Sequence, residues 1–182
     1  MTHTLEYYLD SIPDHRRKQG LMYDKNSLLI MMILANMSGC YGYREMANYM
    51  ENNVSDFVNI FNLKHGVPKH VSLRSFIMHL DFNLLLECFR RWCNQFVSFE
   101  EGEVYSIDGK IMSSTVENCH DSKQSYKSMI SLFCAKTGLV SDTEMIELKK
   151  THEIGAAQQM ISRLKAKGII ITADALHCQK KQ

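Results

Sequence analysis

Two short apolar runs each lead into a single aspartate, and this arrangement constrains the fold of the chain more than any other feature. Val104–Ile107 precedes Asp108, and Ile169–Ala173 precedes Asp174. A hairpin-like segment and one amphipathic helix separate the two runs. A strand, a crossover helix and a second strand normally form a parallel pair whose strand ends lie side by side. The pattern therefore predicts that the two aspartates meet at one edge of a sheet.

Two carboxylates that meet in this way repel each other unless a proton or a divalent cation lies between them. The pair is therefore the best candidate for a chemical site in the chain. Each aspartate also has a purely structural interpretation. Asp108-Gly109 is a favoured hairpin turn, and Asp174 could cap a helix that follows a buried strand. His177 and Cys178 could form a metal-ligand pair, but no second pair has the spacing of a zinc site.

Composition narrows the class of protein. The chain has 182 residues, of which 45% are hydrophobic and 23% charged, as in an ordinary globular protein. Its net charge of +1 excludes a global basic field. Residues 1–103 carry 10 basic and 12 acidic side chains, whereas residues 104–182 carry 11 and 8, which weakly favours an anionic ligand near the second half. Six cysteines without CxxC spacing, and no apparent leader or membrane span, predict a cytoplasmic protein with reduced thiols.

The first half has helical spacing throughout, so residues 1–99 are predicted to form an all-α domain. Ser27 is expected to cap a central helix whose apolar stretch, Leu28–Ala35, is buried. Ser72 is expected to begin another helix. The segment Phe57–Leu80 contains two short helices around a turn, with basic residues nearby. It is either a helix-turn-helix DNA reader or a small helical bundle with a basic surface.

The second half, residues 104–182, is predicted to form an α/β domain, which makes the chain α+β overall. The polar stretch Ser113–Ser125 is expected to be a loop. Tyr126–Ala135 and Leu139–Leu148 are predicted to form a β-hairpin. Glu153–Lys167 has the spacing of an amphipathic helix. Ile169–Ile171 is predicted to be a fully buried strand of the parallel type.

Several motifs resemble those of the H-repeat-associated insertion-sequence transposases. That family has an IDGK motif, then a Ser-Asn-Glu-Ile-like stretch before a helix, then a TxDAxxxQ motif. The chain carries similar segments in the same order at Tyr105–Lys110, Lys150–Ile154 and Thr172–Gln179. Its first half resembles the family's N-terminal helical domain, notably at Val67-Pro68, Ser72–Leu80 and Phe89–Trp92.

The resemblance implies a DDE transposase with a ribonuclease H-like catalytic domain. The chemistry would be two-metal phosphoryl transfer on DNA, with Mg²⁺ or Mn²⁺ ions about 3.5–4 Å apart. Asp108 and Asp174 match the first two acidic ligands. Lys110 is expected to neutralise a nearby phosphate, and Lys69 and Arg74 are expected to contact DNA.

The sequence departs from the family pattern at two points. Ile111–Ser114 replaces a stretch that usually carries an arginine, and no counterpart of the third acidic ligand, a glutamate on a later helix, is found before Gln182. We therefore expect a C-terminally truncated catalytic domain with little or no turnover. The alternative is a non-catalytic DNA-binding module or repressor derived from the helical domain. In either case the expected partners are element-end DNA and a second copy of the chain, in the cytoplasm or on the nucleoid.

Overall fold

The computed structural model describes residues 2–17, 20–97, 100–117, 125–147, 153–164 and 167–173. The chain divides into two compact units, residues 3–88 and residues 89–182. The predicted functional domains at 1–99 and 104–182 differ from these units by a few residues and stay a prediction.

Helices form the described part of the first unit and continue a few residues past its end. Their bounds are α1 Leu5–Leu9, α2 Lys25–Met37, α3 Tyr43–Asn52, α4 Val54–Phe61, α5 His70–Met78 and α6 Phe82–Cys93. The prediction that Leu28–Ala35 is a buried helix is confirmed, because Leu28, Met31 and Ala35 are at most 2% exposed. These side chains pack with Met50 and Leu73 in a single core.

Two predicted helix starts are wrong. The second helix begins at Lys25 because Asp24, not Ser27, is its N-cap, and the Asp24 carboxylate accepts the Ser27 backbone N–H at 3.0 Å. The fifth helix begins at His70, two residues before Ser72. A carboxylate and a serine are both good N-caps, so the sequence alone did not distinguish the candidates at the first of these starts.

A buried lysine joins the first two helices. Lys25 is 9% exposed, and its Nζ donates to the carbonyl oxygens of Leu9 (2.7 Å) and Ile12 (2.5 Å). These carbonyls lie at and just past the end of α1, where helix acceptors lack partners within the helix. The ammonium group therefore supplies the missing donors and carries a favourable charge for the helix C-terminus.

The second unit contains a four-stranded mixed sheet. Its elements are β1 Val104–Glu117, β2 Ser125–Cys134, β3 Leu139–Glu147, α7 Glu153–Arg163 and β4 Ile170–Ala173. The strand order is β3-β2-β1-β4, with β2 antiparallel to both of its neighbours and β4 parallel to β1. The predicted hairpin and the predicted parallel pair are both confirmed. Helices come first and strands later, so the α+β class is confirmed as well.

The first strand is longer than predicted, and this corrects two interpretations. β1 continues through Asp108 to Glu117 and pairs with β2 on both sides of that residue, so Asp108-Gly109 is not a hairpin turn and Asp108 does not end the strand. The predicted loop at Ser113–Ser125 is wrong for residues 113–117 and 125, which lie in strands. Residues 118–124 lie outside the described residues. Backbone pairing does not require apolar side chains, which explains how a polar segment can form a strand.

The core of the second unit lies between the sheet and α7. Ala156, Ala157 and Met160 of α7 are at most 5% exposed and pack against Tyr105 and Ile107 of β1, together with apolar residues of β2 and β3. The prediction that Ile169–Ile171 is a fully buried strand is wrong, because Ile170 is 52% exposed. Among the described strands β4 has only β1 as a neighbour, so it lies at an edge of the described sheet.

None of the helices in the described ranges is both long enough and apolar enough to span a bilayer. Cys40, Cys88, Cys93 and Cys134 are free thiols, as the cysteine spacing predicts for these four residues.

Candidate metal-binding site

The parallel pairing of β1 and β4 brings together the two segments that precede the predicted site residues. Val104 pairs with Ile170, and the register continues residue by residue until Ile107 lies opposite Ala173. Asp108 and Asp174 are the next residues in the two strand sequences. Asp174 itself lies outside the described residues, as do His177 and Cys178.

Side-chain alternation along β1 places Asp108 on the face of the sheet opposite α7. Tyr105 and Ile107 are buried against α7, whereas Asp108 and Lys110 are exposed. Successive residues of a strand point to opposite faces, so Ser106, Asp108 and Lys110 share the second face. Among the described residues, none forms a hydrogen bond or ion pair with the Asp108 carboxylate. Its oxygens are therefore accessible to a ligand.

Hydroxyl groups connect β1 and β4 just before this position. The Ser106 Oγ and Thr172 Oγ1 atoms lie 2.9 Å apart, and Thr172 Oγ1 also donates to the carbonyl oxygen of Tyr105 at 3.2 Å. These contacts place Thr172 on the same face as Ser106. Side-chain hydrogen bonds thus reinforce the backbone register two residues before each aspartate.

A further hydroxyl lies across from Asp108 on the other side. Ser131 of β2 is the register partner of Asp108, and directly opposed residues of an antiparallel pair share a face. The potential metal ligands described around Asp108 are thus carboxylate and hydroxyl oxygens, which suit a hard divalent cation such as Mg²⁺. The described residues alone contain no group of three His, Cys, Asp or Glu side chains placed to hold a metal ion. A complete site would therefore need Asp174 or further ligands.

A cluster of charged side chains fixes the start of β1. Glu103 is 8% exposed, and its Oε2 accepts the Glu100 backbone N–H (3.1 Å) and the Tyr105 hydroxyl (3.0 Å). Lys136, in the turn between β2 and β3, lies 3.1 Å from Glu103 Oε1 and 2.6 Å from Glu100 Oε2. The Glu100 N–H, and next the Lys136 ammonium, lower the pKa of Glu103.

The same cluster shifts the pKa of its other members. Burial, the Cys134 thiol and the Glu103 carboxylate together raise the pKa of Tyr105, in that order of size. Sequence reasoning missed this cluster, although the acidic run Glu100–Glu103 was a usable signal. These contacts connect the start of β1 with the turn between β2 and β3.

A second cluster attaches α7 to the outer strand of the hairpin. Arg163 Nη2 donates to Glu144 Oε2 at 2.5 Å and to Asp142 Oδ2 at 3.3 Å, and Arg90 Nε lies 3.6 Å from Asp142 Oδ1. Burial raises the pKa of Asp142, while the two arginines oppose that shift. Since α7 leads into β4, this cluster helps to place the strand that precedes Asp174.

The predicted DNA contacts Lys69 and Arg74 belong to the first unit. Lys69 lies just before α5 and pairs with Glu51 at 3.1 Å, with both side chains exposed. Arg74 is exposed on α5 and lines a surface cleft with Arg44 and His70. The structure therefore groups Lys69 and Arg74 on one helix region, and Asp108 and Lys110 on one strand.

A family model matches the first half of the chain, and curated relatives align with nearly all of it. Residues 7–93 match the family model described as DDE_Tnp_1-associated. Over 173 residues the chain is 25% identical to "H repeat-associated putative transposase YhhI" of Escherichia coli K12, covering 95% of the chain and 45% of that protein.

Two further relatives show the same level of similarity. The identity is also 25% to "Putative protein YbfL" and to "H repeat-associated putative transposase YbfD" of the same strain, of which the chain covers 45% and 67%. The chain thus spans about half the length of the first curated relatives it matches. No solved structure matches it.

Proposed function

We propose, from its similarity to the H repeat-associated putative transposases and to the DDE_Tnp_1-associated family model, that the chain takes part in the transposition of a bacterial insertion sequence. The proposed reaction is metal-dependent phosphoryl transfer on DNA, in which Asp108 and Asp174 bind Mg²⁺ or Mn²⁺. The observation that carries the proposal is the β1–β4 register, in which the residues immediately before the two aspartates are direct partners.

The topology also supports the catalytic assignment. The antiparallel hairpin beside β1 and the parallel strand on its other side follow the strand, hairpin, helix and strand order that the resemblance implies for the first part of a ribonuclease H-like domain. Asp108 and Asp174 would hold the ions there, and the bound ions would supply activation of the attacking oxygen and stabilisation of the leaving oxygen of a phosphodiester.

The residues of this chain have distinct proposed roles. Asp108 would bind the ion through its carboxylate, which has no hydrogen-bond or ion-pair partner among the described residues. Ser106 and Thr172 would position the two metal-binding strands through their hydroxyl contact. Lys110, exposed on the same face as Asp108, would offset the charge of a DNA phosphate. Asp174, which lies outside the described residues, would be the second carboxylate ligand.

The number of acidic ligands affects how well an ion is held. The resemblance implies a third acidic ligand besides Asp108 and Asp174. Fewer carboxylates bind Mg²⁺ less tightly and position it less well, so strand cleavage should be weaker with two acidic ligands than with three.

A nicking assay tests the proposed function. Labelled element-end DNA is incubated with purified chain and Mn²⁺, with Asp56→Asn as a control because Asp56 is also an exposed aspartate. We expect any cleavage by the unchanged chain to be lost in Asp108→Asn and retained in Asp56→Asn. Equal cleavage by the Asp108 variant would contradict the proposal.

The second candidate function is DNA binding without catalysis. It is favoured by α4 and α5, two short helices joined by the turn at residues 62–69, with exposed Lys69 and Arg74. If this is the function, DNA binding in the presence of a chelator should be sensitive to salt, and no strand cleavage should occur with Mn²⁺. Cleavage that depends on Asp108 would exclude it as the whole function.

A further inference from the structure

Helix α5 forms a ridge between two clefts on the first unit. One cleft of about 480 Å³ lies on the side of α3 and is lined by Arg44 and Glu45 of α3 with His70 and Arg74 of α5. The other, of about 610 Å³, lies on the side of the segment after α1 and is lined by residues that include His15, Arg17 and Ser75. We call them the α3-side cleft and the loop-side cleft.

Both clefts share one residue, which lies on the crest of the ridge. Val71 lines the two clefts and is 64% exposed, and Met78, two helical turns further along α5, is 63% exposed. The opposite face of α5 carries Leu73 and Phe76, which are buried in the core. One face of the helix thus packs in the core, while the opposite face projects between the two clefts.

Positive charge is concentrated on this surface. Residues 3–88 carry eight basic and nine acidic side chains, so the unit as a whole is not basic. Five of the eight basic residues lie at the ridge or its clefts, namely Arg16, Arg17, Arg44, Lys69 and Arg74. This distribution gives one face of a nearly neutral unit a local positive potential.

The nearby carboxylates are already engaged. Glu45 Oε2 accepts the backbone N–H groups of Tyr41 and Gly42 at 3.0 Å each, and Glu51 pairs with Lys69. Asp14 holds Arg16 through a two-pronged ion pair, and the Arg16 guanidinium lies 5.1 Å from the centre of the Phe76 ring.

Three arginines on this surface have unused donors. Arg17, Arg44 and Arg74 are exposed and make no side-chain hydrogen bond or ion pair within the part of the chain that the structure describes. Arg17 lies in the loop-side cleft, whereas Arg44 and Arg74 lie in the α3-side cleft. Free guanidinium groups therefore occur on both sides of the ridge.

We propose that this surface binds duplex DNA, with α5 in the major groove and the two clefts on the flanking phosphate backbones. The inference rests on the proposed function for its partner and adds the element and residues that contact it. The major groove of B-form DNA accepts an α-helix, and arginine suits the flanking phosphates because its planar fork matches their oxygens. Val71 and Arg74 on the exposed side of α5 are placed to contact base edges.

Duplex DNA fits this surface better than duplex RNA. The major groove of A-form RNA is too deep and narrow for side chains to read. A projecting helix with basic clefts on both sides therefore matches B-form geometry.

Anisotropy measurements with the full chain and a labelled duplex of about 30 base pairs test the proposal. A chelator is present, so the proposed metal site plays no part. The variant Arg17→Gln/Arg44→Gln removes one free arginine from each cleft. The control is Lys167→Gln, which removes an exposed charge outside both clefts that has no ion pair among the described residues, and the single variants Arg17→Gln and Arg44→Gln are compared with it charge for charge. Circular dichroism of each variant verifies that the fold is retained.

The expected result is a weakening of at least about tenfold near 0.1 M salt, with the slope of log affinity against log salt reduced by about 2. The control should change neither quantity by as much. Equal losses in the control and in each single arginine variant, or stronger competition by duplex RNA than by DNA, would overturn the proposed surface while leaving the proposed function intact. A complete lack of DNA binding by the unchanged chain at about 0.05 M salt would overturn both.

Discussion

Removing the Arg163 guanidinium should destabilise the second unit in a manner that depends on pH. In Arg163→Met, the Asp142 carboxylate, whose side chain is 10% exposed, keeps Arg90 at 3.6 Å but loses its 3.3 Å partner. Breaking a fully buried ion pair costs about 3–5 kcal/mol. Because the Arg163 side chain is 43% exposed and screened by water, we expect a smaller loss of about 1–2 kcal/mol in the free energy of unfolding at neutral pH.

The sign of the pH dependence follows from the raised pKa of Asp142. Burial disfavours its charged form, so the folded state gains stability when this group is protonated. That gain is complete below the unfolded-state pKa and is lost as the pH rises through the higher folded-state pKa. Arg163 opposes the shift, and its removal raises the folded-state pKa further. The deficit of Arg163→Met should therefore be largest near neutral pH and shrink towards about pH 4.

Urea denaturation of Arg163→Met, Asp142→Asn and the double variant measures this coupling. We expect the double variant to be more stable than the sum of the single losses predicts, by about 1 kcal/mol at neutral pH. The electrostatic explanation would be refuted if Arg163→Met lowered the free energy of unfolding equally at neutral pH and at about pH 4 and showed no coupling to Asp142. That result would show instead that Arg163 acts through the packing of its aliphatic stem.

Two further predictions concern the segments around β1. Gly168→Ala should destabilise the chain more than Gly138→Ala: both glycines have positive φ (+76° and +70°), but a Cβ at Gly168 would lie 2.8 Å from Glu101 Cγ while Gly138 has open space. The positive φ alone costs about 1 kcal/mol, and equal melting temperatures for the two variants would contradict the steric argument. In Lys136→Met the pKa of Glu103 should rise towards its usual value, because the ammonium group helps to lower it. The lowered pKa of Glu103 stabilises the fold above the unfolded-state pKa, and that stability is lost as the pH falls through the folded-state pKa. The free energy of unfolding should therefore depend less on acid pH in the variant than in the unchanged chain. The same pH dependence in both proteins would count against the ion pair.

The pairing of the sheet could be predicted because local patterns determined it. The hairpin at β2 and β3 follows from two apolar, β-rich segments around Lys136–Gly138, and Gly138 adopts the positive φ that such a turn favours. The parallel pair follows from the chain order of strand, helix and strand. Together these were enough to place the residues before Asp108 and Asp174 opposite each other.

The extent of β1 and the burial of β4 could not be predicted in this way. Both depend on neighbours in space: β2 extends the first strand through polar residues, and β4 lies at the edge of the described sheet. The Arg163–Asp142 contact likewise joins residues 21 positions apart, and only the sheet register and the position of α7 bring them together. A pattern of single residues carries little information about such contacts.

The basic surface of α5 was predicted only in outline. Lys69 and Arg74 stood out because they lie near the turn before the helix. Arg17 and Arg44 come from segments far away in sequence, and only tertiary packing brings them to the two clefts.

A Mn²⁺ titration followed by electron paramagnetic resonance measures whether Asp108 and Asp174 share a divalent cation. Ion bound to the chain loses the sharp signal of the free aqueous ion, so the signal reports affinity. We expect Asp108→Asn and Asp174→Asn each to weaken Mn²⁺ binding about tenfold or more. The double variant should lose much less than the sum of the two free-energy changes, since either substitution already disrupts the shared site. Strictly additive effects, or unchanged Mn²⁺ affinity in either single variant, would contradict the shared site.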